Sequence, residues 1–189
     1  MENALGKKVR DAYLLAFHVH HGESRKSGEP YITHPLAVAR ILFDAGADAD
    51  VICAALLHDA LESQPDAYMI ANKIYTDFGD QVLFLVQAVS KDDRIKNKLE
   101  QQEAYMQQVQ RAFKIDIFAF FIKIADLIHN MSTLGSLPKK RKQQWFMELQ
   151  MQYLPLFSEY FHRIPLAHRG VFRHLVDRIE EISNRYESA

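Results

Sequence analysis

The feature that most constrains this chain is how few of its residues can break a helix, and where they sit. Seven glycines and six prolines among 189 residues amount to little more than half of average usage, which is roughly 12%. Those present fall where helices start or stop. Gly22 closes a first helix built on Val9, Ala12, Tyr13, Ala16 and Phe17, and a polar loop runs from Glu23 to Gly28 and Pro30. Pro35 suits the first turn of a second helix that runs to Gly46. Asp50 is positioned to cap a third, which starts at Val51 and carries an apolar run to Leu61 before Pro65 breaks it. Asp66 then caps a fourth through Ile70, Ile74 and Phe78, stopped by Gly79. Val82 to Val89 is apolar and β-branched, so a strand competes there, but length and position between helices favour a short buried helix. Lys91 to Arg111 reads as a loop and a mostly exposed helix, and Ile115 to Leu134 as a long apolar helix ended by Gly135 and Pro138. Two more helices, about 139–163 and 166–186, follow. The fold class is therefore all-α, with no repeat or linker that would divide residues 1–189 into two domains.

The informative residues are polar groups inside these apolar helices, because burying a charge is costly unless it is paired or bound to a metal. His58, Asp59 and Glu62 end the unbroken run Val51–Leu57. On a continuing helix, Asp59 stands about 100° around from His58, with Glu62 one turn beyond His58 on the same face. Asp126, Asn130 and Thr133 form one polar stripe on a helix otherwise made of residues such as Phe118, Ile122, Ile124 and Leu127. His34 stands at the mouth of another helix, beside Pro35. Each residue has a plain structural reading: His34 as a helix-entry residue, Asp126 as a carboxylate paired with Lys123, Arg25 and Lys26 as solvated loop charges. Together they call for a common explanation, and a metal shared in the helix core supplies one.

Composition excludes some alternatives. A net charge of −1 gives no general attraction to nucleic acid or an anionic membrane, so an anionic ligand needs a local basic site. No stretch reaches the roughly 18 consecutive apolar residues of a membrane span, and the first residues lack the apolar core of a secretory signal. A cytoplasmic protein without nucleic-acid or membrane partners is expected. The single cysteine, Cys53, precludes an internal disulfide and a multi-cysteine zinc site, and its apolar setting marks it as a small buried hydrophobe.

The segments RKSGEPYITHPLAVARIL, AALLHDALES, FGDQVLFLVQAVSK and IKIADLIHNMSTL occur in the order and spacing of the hydrolase domain of RelA/SpoT-homolog proteins. Over about residues 5–137 the chain resembles a stand-alone small alarmone hydrolase, while residues 138–189 carry no trusted motif. The resemblance implies an HD-type bundle of about eight to ten helices and a metal-dependent phosphohydrolase. It assigns His34, His58, Asp59 and Asp126 to a divalent ion, usually Mn²⁺; the mixed imidazole and carboxylate donors also suit Fe²⁺ and remain compatible with Zn²⁺. It assigns Arg25, Lys26 and Ser27 to a guanine base and nearby phosphate, and Asn130 and Thr133 to sugar and 3′-phosphates. The implied reaction removes pyrophosphate from the 3′ position of guanosine 3′,5′-bis(diphosphate).

One departure stands out. After the His-Asp pair the family carries Glu then Asp, both helping to activate water, whereas this chain has Glu62 then Ser63. Serine accepts no proton at neutral pH, and loss of one proton-handling group typically costs 10²–10⁴-fold. The sequence therefore leaves three readings: an alarmone hydrolase working through Glu62, a hydrolase of another phosphorylated nucleotide such as NADPH, or a weakly catalytic nucleotide sensor. The aromatic stretch Trp145 to Phe161 reads as core packing or an oligomer surface, since it lacks the basic-aromatic alternation of a base-stacking site.

Overall fold

A computed structural model describes residues 4–62, 64–134 and 139–187, so Ser63, Gly135 and Pro138 lie outside the described residues. Ten α-helices follow one another among the described residues: α1 (Ala4–Val19), α2 (Thr33–Asp44), α3 (Ala49–Leu57), α4 (Ala67–Phe78), α5 (Asp80–Val89), α6 (Lys98–Ile115), α7 (Ile117–Ser132), α8 (Lys139–Glu148), α9 (Leu154–Phe161) and α10 (Arg169–Glu187). Among the described residues the sole strand-like pairing is an isolated bridge between Ser24 and Pro30, and no helix is long and apolar enough to cross a membrane.

The core is organised by α3 and α7. Every residue from Val51 to Leu57 is buried, because α3 is enclosed by α1, α2 and α5. A helix apolar on all sides requires such surroundings. Helix α7 is buried from Ala119 to Ile128 and packs on α2, α5, α6 and α10. The C-terminal helices pack on the motif-bearing part: Phe120 of α7 stacks on Phe172 of α10, centroids 5.9 Å apart, and meets Phe157 of α9 edge-on at 5.1 Å. Tyr153, Leu156, Phe157 and Tyr160 are core, as the aromatic stretch suggested.

Val82–Val89 is helical, which settles the strand alternative against it. Gly79 makes the abrupt α4–α5 junction possible, since its φ of +93° lies where side-chain-bearing residues rarely go. Several boundaries differ from the sequence reading. Helix α3 stops at Leu57 rather than Leu61, and residues 58–62 form successive turns. Its cap position is Asp48, while Asp50 lies in the first turn and pairs with Lys8 at 2.6 Å. Asp66 occupies the cap position of α4 without making a side-chain cap bond. The run expected as one helix from Ile115 is interrupted at Asp116, whose extended backbone and bond to the Phe118 N–H at 2.8 Å start α7 afresh. The expected helix over 139–163 is divided by a π-helical turn, Leu149–Tyr153.

Candidate metal centre and cleft

His34, His58, Asp59 and Asp126 come together from three elements. His34 is the second residue of α2 and is buried. His58 and Asp59 leave α3 in a turn closed by Ala60 N–H to Leu57 O and Glu62 N–H to Asp59 O. Ser90, at the end of α5, donates its hydroxyl to the His58 carbonyl at 3.0 Å. Asp126 lies in the middle of α7.

The hydrogen bonds fix where the lone pairs point. His58 Nδ1 is 2.8 Å from the Ala55 carbonyl, so it carries the proton and donates it, leaving Nε2 as a lone pair. That Nε2 is buried without a hydrogen-bond partner, yet Asp59 Oδ1 stands 3.2 Å away. His34 Nδ1 meets His129 Nδ1 at 2.7 Å. Arg25 Nη1 donates to the same His129 nitrogen at 3.1 Å. The His129 nitrogen is therefore the acceptor, His34 Nδ1 the donor, and His34 Nε2 a second lone pair. It faces Asp126 Oδ1 at 3.2 Å and Asp59 Oδ2 at 3.5 Å. Imidazole nitrogens and carboxylate oxygens gathered this closely are the donors that one divalent cation takes in common. Bonds of about 2.1 Å at right angles set adjacent ligand atoms about 3 Å apart, which is the spacing seen. One donor atom each from His34, His58 and Asp126 lies within 4.8 Å of the others. The donor set fits a divalent ion.

Its surroundings are built to hold it. Tyr31 donates its hydroxyl to Asp59 Oδ2 at 2.7 Å, and burial together with that carboxylate pushes the phenol pKa far up. Lys123 donates to Asp126 Oδ2 at 2.8 Å and Asn130 Nδ2 to Oδ1 at 2.6 Å. Burial alone would raise the pKa of Asp126, but the Lys123 ammonium beside it holds the carboxyl well below its usual range. Lys123 itself is buried between the rings of Tyr105 and Tyr153, 5.2 and 5.4 Å from their centroids. The plain pairing of Asp126 with Lys123 is thus real, and it coexists with Asp126 facing the imidazoles. Glu62 accepts from the Lys91 backbone N–H at 2.7 Å, and burial followed by the nearby Asp59 charge pushes its pKa up to about 7.

Beside this cluster opens a cavity of about 400 Å³ lined by Arg25, Lys26, Ser27, Tyr31, Glu62, Lys91, Asn130, Thr133, Leu134 and Trp145, together with His34, Asp59 and Asp126. A larger groove of about 750 Å³ lies along α1 and α4, but its charges are engaged in pairs such as Lys7–Asp11 and Lys73–Asp77 and gather no ligand cluster. The substrate residues named from sequence meet in the smaller cavity. Arg25 also reaches Asn130 Oδ1 at 3.3 Å. The Thr133 hydroxyl bonds the His129 and Asn130 carbonyls. Ser63 lies outside the described residues. Sequence reasoning missed Tyr31 and Lys91 in the cavity wall, although both fall inside the family segments, and it read Trp145 as core packing or an oligomer surface rather than as cavity lining. The hydrogen-bonded scaffold position of His129 fits its setting between Arg25 and His34.

Comparison with known proteins places this geometry. A family model described as HD domain matches residues 12–158. The bifunctional (p)ppGpp synthase/hydrolase SpoT of Escherichia coli K12 is 41% identical over 189 aligned residues, covering 95% of this chain and 25% of that protein. The guanosine-3′,5′-bis(diphosphate) 3′-pyrophosphohydrolase of Haemophilus influenzae is 37% identical, covering 92% of this chain and 25% of that protein. A GTP pyrophosphokinase of Streptomyces coelicolor is 36% identical over 82% of this chain and 18% of its own length. The chain thus spans about a quarter or less of these curated relatives. Similarity to the Escherichia coli protein extends past residue 137 into the C-terminal helices, farther than the sequence motifs alone suggested. Among solved structures, one described as a metazoan ortholog of SpoT that hydrolyzes ppGpp superposes with a TM-score of 0.69 at 22% identity, covering 95% of both chains, a likeness of fold.

Proposed function

The chain belongs to the HD domain family, and from that premise we propose that it is a metal-dependent (p)ppGpp 3′-pyrophosphohydrolase. The observation that carries the reading is the convergence of two imidazole nitrogens and two carboxylates in the wall of a cavity that is also lined by Arg25, Lys26 and Lys91. The activities for which these relatives are named supply the substrate. His34, His58, Asp59 and Asp126 would hold the ion, Mn²⁺ in this reading. When bound, such an ion makes water acidic enough to attack near neutral pH and draws charge from a phosphoryl oxygen.

The remaining steps belong to the chain. Glu62, with a pKa near neutrality, accepts the proton of the attacking water. Attack falls on the phosphorus bonded to the 3′ oxygen, the P–O3′ bond breaks, and the proton held by Glu62 passes to the leaving 3′ oxygen, so that GDP or GTP leaves with a 3′ hydroxyl alongside pyrophosphate. Lys26, Arg25 and Lys91 offset charge on the pyrophosphate. Ser27, Asn130 and Thr133 orient base and sugar. Ser63 contributes no charge, so Glu62 acts alone and turnover is slower than with a second carboxylate. A contiguous core from α1 to α10 supports one domain over 1–189. A soluble nucleotide substrate agrees with a cytoplasmic location.

The test is direct. Purified protein with Mn²⁺ is challenged with ppGpp, pppGpp and NADPH, beside Asp59→Ala and Glu62→Ala variants. Pyrophosphate released from ppGpp by the parent and by neither variant supports the proposal. Turnover of another nucleotide alone, or tight binding without turnover, sinks it. A Ser63→Asp variant should raise alarmone turnover.

A further inference from the structure

The cleft has one surface that the phosphate chemistry leaves unused. Apart from Tyr31, the other residues lining the cavity are polar or charged, with two exceptions, Leu134 and Trp145. The Tyr31 hydroxyl is engaged by Asp59 and its ring lies against His20, centroids 4.7 Å apart. Leu134 is 2% exposed. The apolar area a ligand can meet is therefore the indole of Trp145, which is half-buried and packs on the core from α8. Unlike Tyr153 and Tyr160 farther along the same segment, which are fully buried, Trp145 keeps part of its ring in the cavity wall.

Helix α7 gives the cleft a length scale. At about 1.5 Å per residue, Asn130 stands about 6 Å and the helix end at Ser132 about 9 Å beyond Asp126, with Leu134 just past it. The cavity wall thus combines the metal-ligand atoms, polar groups of Asn130 and Thr133 farther along α7, and the flat apolar face of Trp145. A nucleotide has the same division, phosphates at one end and a planar aromatic base at the other. Every base offers a π face, and aromatic side chains bind it without reading its edge.

We propose that Trp145 is the base platform of this cleft, the surface on which a purine ring lies while the phosphates reach Arg25, Lys26 and the ligand cluster. The proposal rests on the nucleotide-hydrolase reading above and adds to it the residue that contacts the base. Because stacking does not read ring edges, Trp145 favours purines for their area and leaves the choice of guanine to groups such as Arg25 and Asn130.

Trp145 is the single tryptophan of the chain, so intrinsic fluorescence reports on this position alone. Glu62→Gln protein with Mn²⁺, whose turnover should be slowed enough for binding to be read first, is titrated with ppGpp, GDP and inorganic pyrophosphate, and each binding constant is measured independently by calorimetry. The two guanine nucleotides should change the emission with the calorimetric midpoint, and pyrophosphate should leave it unchanged at saturation. In the active protein, Trp145→Ala should raise KM about tenfold with kcat within about twofold, and Trp145→Phe should keep KM within about threefold. Emission unmoved by calorimetrically bound ppGpp, or moved equally by pyrophosphate, overturns the platform while leaving the hydrolase reading intact. A fall in kcat without a rise in KM does the same. If the parent protein neither binds nor hydrolyses ppGpp, the substrate reading fails and takes the platform with it.

Discussion

Helices α3 and α7 both deliver groups to one point, and they do so in opposite ways. Helix α3 ends before its residues arrive, so His58 and Asp59 sit in turns. Helix α7 passes straight through, and Asp126 projects from an unbroken, buried stretch. Consecutive residues on a helix diverge by about 100°, and the turns after Leu57 carry His58 and Asp59 to one point. A single carboxylate needs no such turn, but in mid-helix most of it is shut off from water. Lys123, one turn earlier and held between two tyrosine rings, supplies the compensating charge. The turn gives convergence; the helix gives rigidity and requires a counter-ion.

The sharpest way to break the comparison is to remove one ligand from the turn. Asp59→Ala should abolish both divalent-ion binding by calorimetry and pyrophosphate release, with no partial phenotype. Replacing the base beside it comes next: Glu62→Gln should lower kcat by about 10²–10⁴. The sign of its pH dependence follows from its role. Glu62 must be ionised to accept a proton, so the rate falls as pH drops through its pKa. That pKa is about 7 from burial and Asp59; a bound cation favours the ionised form, so the acid limb of the kcat/KM profile should centre below about 7 and vanish in the variant.

On the helix side, Lys123→Met should destabilise metal-free protein by about 3–5 kcal/mol in urea unfolding, because it strands a buried carboxylate. Adding Asp126→Asn should restore part of that loss, and metal should restore part of it to Lys123→Met alone. Without such a recovery, Lys123 is not the counter-ion described. Smaller again, Tyr31→Phe removes only the hydroxyl bonded to Asp59 and should weaken metal affinity about 10–100-fold. Ser90→Ala, which frees the His58 carbonyl, should cost about 1 kcal/mol of stability.

The same contrast explains what could be read in advance. The helical course of α1, α2, α4, α5 and α7 follows from apolar spacing and from glycines and prolines at the ends, and the polar intruders His34, His58, Asp59 and Asp126 stand out because their neighbours are apolar. The end of α3 was hidden, since Ala60 and Leu61 continue the apolar pattern and nothing local marks Leu57 as last. Asp116 was hidden for the opposite reason: one aspartate between Ile115 and Ile117 does not announce an extended residue until its side chain is seen capping α7. Lys91 and Trp145 enter the cleft through packing between distant elements, which no local spacing encodes. Lys123 was visible as a partner for Asp126, but not that two tyrosines from α6 and the π-helical turn would enclose it.

The loop between α1 and α2 carries a consequence for how quickly the cleft can be entered. It is closed on itself by the bonds of Arg25 N–H to Glu29 O and Gly28 N–H to Arg25 O. It is tied to α7 through the Arg25 guanidinium and to the segment after Glu62 through the Glu23–Gln64 bond. An arriving anion therefore finds its cationic lip already assembled. Little ordering is left for the encounter itself to accomplish, so the observed association rate should climb in proportion to nucleotide concentration, without the plateau of a slow loop-folding step, and its sensitivity should be to ionic strength.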